Sequence, residues 1–150
     1  MSGKTRTSFE TLAQIKALKE RAAAERLSAA RERLERERLN LTTVQRYLLE
    51  YREQGSDSGM HTRLFADRQR FRLDLERSVE AQSLAVEHAR AQAETAREHW
   101  AGVRAEREAI VKLVERRESQ EARRLIQADQ RQSDEQSLGR AGKNEDSSAV

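Results

Sequence analysis

Histidine and carboxylate side chains are the groups best able to bind a metal or transfer a proton. The chain has three histidines and 26 acidic residues. His88 and His99 are eleven residues apart, so on a helix they share a face but lie about 16 Å apart, too far for one metal ion. The acidic residues are spread evenly, and no pair stands out for acid–base catalysis.

Other chemical signatures are missing from the sequence. It contains no Gly-x-x-x-x-Gly-Lys phosphate loop, no Gly-x-Ser-x-Gly, no His-Glu-x-x-His and no cysteine. We therefore predict no catalytic residue, cofactor, metal or small-molecule substrate.

The composition indicates helices that have little apolar surface to bury. Charged residues make up 37% of the chain and aromatic residues 4%, with no proline and six glycines. Such a mixture is typical of long helices and coiled coils. The predicted fold is all-α, a long two-helix antiparallel coiled-coil hairpin.

Helix one is predicted over about residues 8–54, with Thr7 as its cap and Glu10 bonding back to it. Its apolar residues recur at steps of three and four, as in heptads. The pattern slips by one residue near Ala22, which we interpret as a stutter. The seam residues before and after it are Phe9, Leu12, Ile15, Leu18, Ala22, then Ala23, Leu27, Ala30, Leu34, Leu41, Val44, Leu48 and Tyr51. Glu37 is the one charged residue at a seam position.

A Gly/Ser-rich turn at 55–61 precedes helix two, predicted over about residues 62–135. Its seam has unbroken three-four spacing: Leu75, Val79, Gln82, Val86, Ala89, Ala93, Ala96, Trp100, Val103, Arg107, Ile110 and Val114. The hairpin is assigned to residues 1–138. Residues 139–150, which are polar and contain two glycines, are predicted to be a disordered tail.

A turn centred on Asp57 would place Leu48 near Ala66, Ala30 near Leu84 and Leu12 near Val103. Small residues would then face each other midway and let the helices approach closely. Trp100 would pack beside Leu12. Helix one would run out opposite residue 107, leaving an apolar stripe without a partner: Ile110, Val111, Leu113 and Val114.

The charge pattern favours protein partners over nucleic acid. The 29 basic residues are interleaved with the acidic ones, so most charges can pair along the helices. No apolar run is long enough to span a membrane, and the first seven residues lack the apolar core of a signal peptide. We expect a cytoplasmic protein that touches the membrane only indirectly.

Several segments together form a recognisable order. They are Tyr-Leu-Leu-Glu-Tyr-Arg at 47–52, the Gly/Ser turn, Asp-Arg-Gln-Arg-Phe at 67–71, Trp100, and Leu-Val-Glu-Arg-Arg at 113–117. In this order the chain resembles the FliJ family of flagellar export proteins over residues 9–137, and more distantly the YscO-type stalks of virulence type III secretion.

The resemblance implies a non-enzymatic component of the flagellar type III export apparatus. Such a stalk inserts into the hexameric export ATPase, promotes its assembly and activity, and links it to the membrane export gate and to export chaperones. It would lie at the cytoplasmic face of the inner membrane through the export apparatus.

The resemblance also implies two contact surfaces. The gate-binding patch would comprise Asn40, Val44, Tyr47, Tyr51, Phe71, Leu75, Ser78 and Gln82. The ATPase-facing end would comprise Phe9, Leu12, Ile15, Trp100, Ile110, Leu113, Val114, Arg116 and Arg117. Val44, Tyr51 and Leu75 also belong to the predicted seam, which conflicts with a purely exposed patch. A virulence-type stalk, a self-associating structural coiled coil and a nucleoid-type binder remain as alternatives.

Overall fold

The chain forms two long helices that pack against each other, and all described residues are helical. The computed structural model describes residues 2–54 and 62–148, so the predicted turn lies outside the described residues. Helix α1 spans Ser2–Glu53 and helix α2 spans Thr62–Ser148. The predicted all-α hairpin is confirmed. Helices of this length are possible because no proline interrupts either segment.

Both helices are longer than predicted. α1 begins before Thr7, whose hydroxyl donates to the carbonyl oxygen of Gly3 four residues earlier, as within a helix, instead of capping its start. α2 continues to Ser148 and includes residues 139–148, predicted as a disordered tail. Its glycines carry no positive φ angle, so nothing in the local backbone ends the helix. Residues 115–146 are exposed throughout.

The chain divides into two compact units. Unit 1 contains residues 1–15 and 106–150, and unit 2 contains residues 16–105. Among the residues whose burial is described, the five buried ones all lie in unit 2, and three of them are alanines: Ala23, Leu27, Val86, Ala89 and Ala93. Because alanine places little bulk between two helices, this core depends on close backbone approach.

The predicted seam of α2 is largely confirmed, whereas that of α1 needs a correction at its N-terminal end. Along α2 every seam position is buried or half-buried except Arg107. In α1 the half-buried positions before Ala23 are Phe9, Ala13, Lys16, Ala17 and Glu20. This row continues the downstream heptads without a slip, so the structure has no stutter.

Leu12, Ile15 and Leu18 are therefore outside the α1 seam, with exposed fractions of 37%, 45% and 66%. Lys16 and Glu20 occupy the seam in their place. Their aliphatic stems can cover apolar surface while the charged ends stay in water. A lysine and a glutamate at seam positions conceal the continuous heptad from an analysis based on apolar residues alone.

The predicted register is wrong by about one heptad. In unit 2, the Tyr51 ring contacts the Phe71 ring, and the Arg68 guanidinium donates to the carbonyl oxygen of Gln54 at 3.2 Å. Both pairs are centred on position 61 instead of Asp57. Ala30 accordingly lines a groove with Ala91, not with Leu84, which is 68% exposed. The first residues of α2 extend past the last turn of α1, so the position about which the two helices pair lies later in the sequence than predicted.

Candidate interaction surfaces

The gate-binding patch predicted by resemblance is centred on an aromatic pair in unit 2. The Tyr51 and Phe71 ring centroids are 4.9 Å apart at an interplanar angle of 61°, an edge-to-face contact. The Arg68 guanidinium also lies over the Tyr51 ring, with its central carbon 5.7 Å from the ring centroid. This contact fixes the local register.

The same register aligns the remaining patch residues. At successive helical turns away from the aromatic pair, Tyr47 lies opposite Leu75, Val44 opposite Ser78, and Asn40 opposite Gln82. The sequence pattern had placed half of these residues on the seam and half outside it, and the structure agrees. The half-buried members are Val44, Tyr51, Leu75 and Gln82, and the exposed members are Asn40, Tyr47, Phe71 and Ser78.

This distribution resolves the conflict between seam and patch. The half-buried residues form the base, and exposed residues of both helices flank them on one side. Tyr47 is 55% exposed and Phe71 is 52% exposed, so two aromatic side chains present most of their surface to solvent. Exposed aromatic side chains over a packed base are typical anchors of protein interfaces.

Gln82 has a structural role within this base. Its Nε2 donates to the carbonyl oxygen of Glu37 at 3.1 Å and to the Glu37 carboxylate. Glu37, one of the charged residues in the α1 seam, thus has a specific partner across the helix pair. A half-buried polar pair of this kind favours one register over others.

The predicted ATPase-facing residues of unit 1 pack more fully than expected. Arg117 stacks over Phe9, with the guanidinium carbon 4.2 Å from the ring centroid. Ala13 lines a shallow groove of about 280 Å³ together with Val111 and Val114. The prediction that the Ile110–Val114 stripe has no partner is therefore wrong, because α1 residues pack beside this part of α2 as far along as Arg117.

Exposed apolar residues nevertheless remain in unit 1. Leu12 and Ile15 of α1 are exposed, Leu113 of α2 is 48% exposed, and Ile110 and Val114 are half-buried. Arg116 is also exposed. Further along α2 the exposed apolar residues are Leu125, Ile126 and Leu138.

Trp100 belongs to unit 2 and is half-buried. It lines an open groove with Ala24, Leu27 and Ser28, and Arg104 lies 5.3 Å from its ring centroid. The prediction of Trp100 beside Leu12 followed from the wrong register. Its packing role is retained with different neighbours.

Sequence reasoning missed one surface. His88 and His99 line an open groove of unit 2 with Arg26 and Arg33. Even the register predicted from the sequence places Arg26 opposite His88, so the charges of the two helices could have indicated this surface. Among the described residues, no group of three His, Cys, Asp or Glu side chains could hold a metal ion. Neither helix, over 2–54 and 62–148, is long and apolar enough to cross a membrane.

These features define a class of protein, a two-helix coiled coil that presents apolar and charged contact surfaces. A family model described as "Flagellar FliJ protein" matches residues 5–146. The chain belongs to the FliJ family and is a component of the flagellar type III protein export apparatus. The family is one of structural export proteins, not of known enzymes. Comparisons with curated proteins and with solved structures gave no match.

Proposed function

We propose that the protein is a non-enzymatic stalk that inserts into the hexameric export ATPase and links it to the membrane export gate and export chaperones. The observation that carries the proposal is the exposed aromatic patch around Tyr51 and Phe71, at the positions expected for gate binding. The family match favours a flagellar machine over a virulence-type one.

The gate contact is assigned to the exposed members of the patch. Tyr47 and Phe71 are each more than half exposed, so neither belongs to the buried core; Phe71→Ala also removes the ring contact with Tyr51, so circular dichroism and a melting curve must first show that the variant is folded. Tyr51 is less suitable for a test, because its ring and hydroxyl contact Phe71 and the carbonyl oxygen of Arg68. The hairpin is held in register there.

The test is binding of the gate protein's cytoplasmic part to the Phe71→Ala variant, measured by calorimetry. Phe65→Ala is the matched control, because Phe65 lies on the same helix and is 55% exposed. We expect about tenfold weaker binding for Phe71→Ala, from loss of an aromatic anchor worth over 1 kcal/mol. Tyr47→Ala combined with Phe71→Ala should weaken binding further. Equal affinities of the Phe65 and Phe71 variants would exclude this patch.

The ATPase contact is assigned to unit 1, through Leu12, Ile15 and Leu113 with the adjoining Arg116 and Arg117. Exposed leucine and isoleucine beside arginine suit a surface that enters a protein ring. This assignment is independent of the aromatic patch, which lies in unit 2.

Charge reversal tests the ATPase contact. Arg116→Glu with Arg117→Glu should reduce stimulation of ATP turnover and hexamer formation by the purified export ATPase. Arg123→Glu with Arg124→Glu is the control, with the same spacing, helix and change of charge on residues that are also exposed. Circular dichroism of both variants checks that the helices remain folded. Stimulation reduced equally by both pairs would show a dependence on charge alone and would exclude the assigned site.

A further inference from the structure

A groove in unit 2 lies outside both surfaces assigned above. It has a volume of about 590 Å³ and is lined from α1 and α2. Its basic side chains are Arg26 and Arg33 on α1 and His88 and His99 on α2, all exposed. The described residues that line it include no aspartate or glutamate.

Some arginines elsewhere on the helices are paired with glutamates of their own helix, whereas the arginines of this groove are not. Arg38, Arg90 and Arg97 each pair with a glutamate three residues earlier. Arg26 has only alanines at the neighbouring positions three and four residues away in either direction. No ion pair joins Arg26 to any residue of the described chain.

Arg33 is in a similar position. Among the positions three and four residues away from Arg33, only Glu37 is acidic, and its carboxylate already accepts from Gln82. Arg26 and Arg33 are seven residues apart, so they lie on one face about 10 Å from each other. The groove therefore presents two guanidinium groups at a spacing that a helix can match with two carboxylates.

The groove floor fits another helix. Small side chains from both helices line it, namely Ala29, Ala30, Ala91 and Ala96. Alanine in the cleft between two packed helices allows a third helix to approach closely, as in helix-in-groove recognition. A nucleic acid would use the arginines but would leave the alanine floor unused.

We propose that this groove binds an acidic amphipathic helix of a partner protein, with small residues on its inner face and carboxylates seven residues apart that pair with Arg26 and Arg33. The charge complementarity supplies orientation and speeds association, and the alanine floor supplies the packing. The proposal does not depend on the gate or ATPase assignments, which use other residues.

The probe is a synthetic alanine-based peptide of about five turns, long enough to form a helix in water, with two glutamates seven residues apart. Its binding to the full chain is measured by fluorescence anisotropy at low and at physiological salt. A peptide of the same composition with its glutamates on opposite faces is the control ligand. We expect the matched peptide to bind at least several-fold more tightly, and both to weaken with salt.

Three variants of the protein separate the contributions. Arg26→Glu with Arg33→Glu should weaken binding about tenfold or more. Arg70→Glu with Arg77→Glu makes the same change of charge at the same spacing on exposed α2 positions and should change binding about twofold at most. Ala29→Leu, at an exposed position, should fill the groove and block binding without altering charge.

Three results would overturn the proposal. No difference between the two arginine pairs, or no preference for the matched peptide, would show that net charge alone attracts the probe. Arginine-dependent binding of a short DNA duplex that is tighter than peptide binding and insensitive to Ala29→Leu would assign the groove to phosphate.

Discussion

Replacing Leu27 or Leu18 by alanine tests which face of α1 is packed. The apolar pattern of the sequence places both leucines on the seam. In the structure Leu27 is 6% exposed, whereas Leu18 is 66% exposed. The two substitutions remove the same atoms from the same helix, so they differ only in the packing around the side chain.

The magnitudes follow from burial. Removing the carbons of a buried leucine costs about 2–3 kcal/mol when transfer and cavity contributions are combined. Leu18 has about a third of its surface covered, and alanine is the better helix former, so Leu18→Ala should cost about 0.5 kcal/mol or less. Leu39→Ala, at 65% exposed, is the matched control for Leu18→Ala.

The assay is urea denaturation monitored by circular dichroism, with one common slope of the free energy of unfolding against urea concentration for all variants. Leu27→Ala should lower the free energy of unfolding by about 2 kcal/mol more than either control substitution. Equal losses of unfolding free energy for Leu18→Ala and Leu27→Ala would support the stutter predicted from the sequence and refute the continuous seam.

Three further predictions concern the polar contacts and the C-terminal part of α2. A double-mutant cycle with Glu37→Ala and Gln82→Ala should give a coupling of about 0.5–1 kcal/mol in unfolding experiments, whereas additive losses would contradict the hydrogen bonds between them. The Arg97 guanidinium lowers the pKa of the Glu94 carboxyl, chiefly by a hydrogen bond. Any stabilisation from this pair is therefore fully present above the ordinary glutamate pKa, and it is lost as the pH falls through the lowered pKa of Glu94. The pair is solvent-exposed, so Glu94→Gln should shift the melting temperature at neutral pH by about 1 °C at most, and a larger shift would refute this screening argument. Truncation after residue 118 removes a segment whose described side chains, over 119–146, are all exposed, so the melting midpoint of the packed helices should stay within about 2 °C; a large fall would reveal a missed contact.

Sequence periodicity alone determined the fold class and most of the packed face. Heptads are a local property of each helix, so Val86, Ala89 and Ala93 could be assigned to the seam of α2 without knowledge of α1. Family resemblance supplied the patch residues. Tyr51 and Phe71 then meet in the structure, which agrees with their assignment to a common surface.

Only the tertiary structure decided the register and the face of α1 near its start. Heptads repeat, so sliding one helix by about seven residues again places seam against seam, and an alanine-rich seam discriminates weakly between such alternatives. The Tyr51–Phe71 contact and the Gln82–Glu37 hydrogen bonds fix one choice. With that choice Phe9 meets Arg117, and Arg26 and Arg33 come to lie across a groove from His88 and His99. Contacts between distant residues set these features, so neither helix alone encodes them.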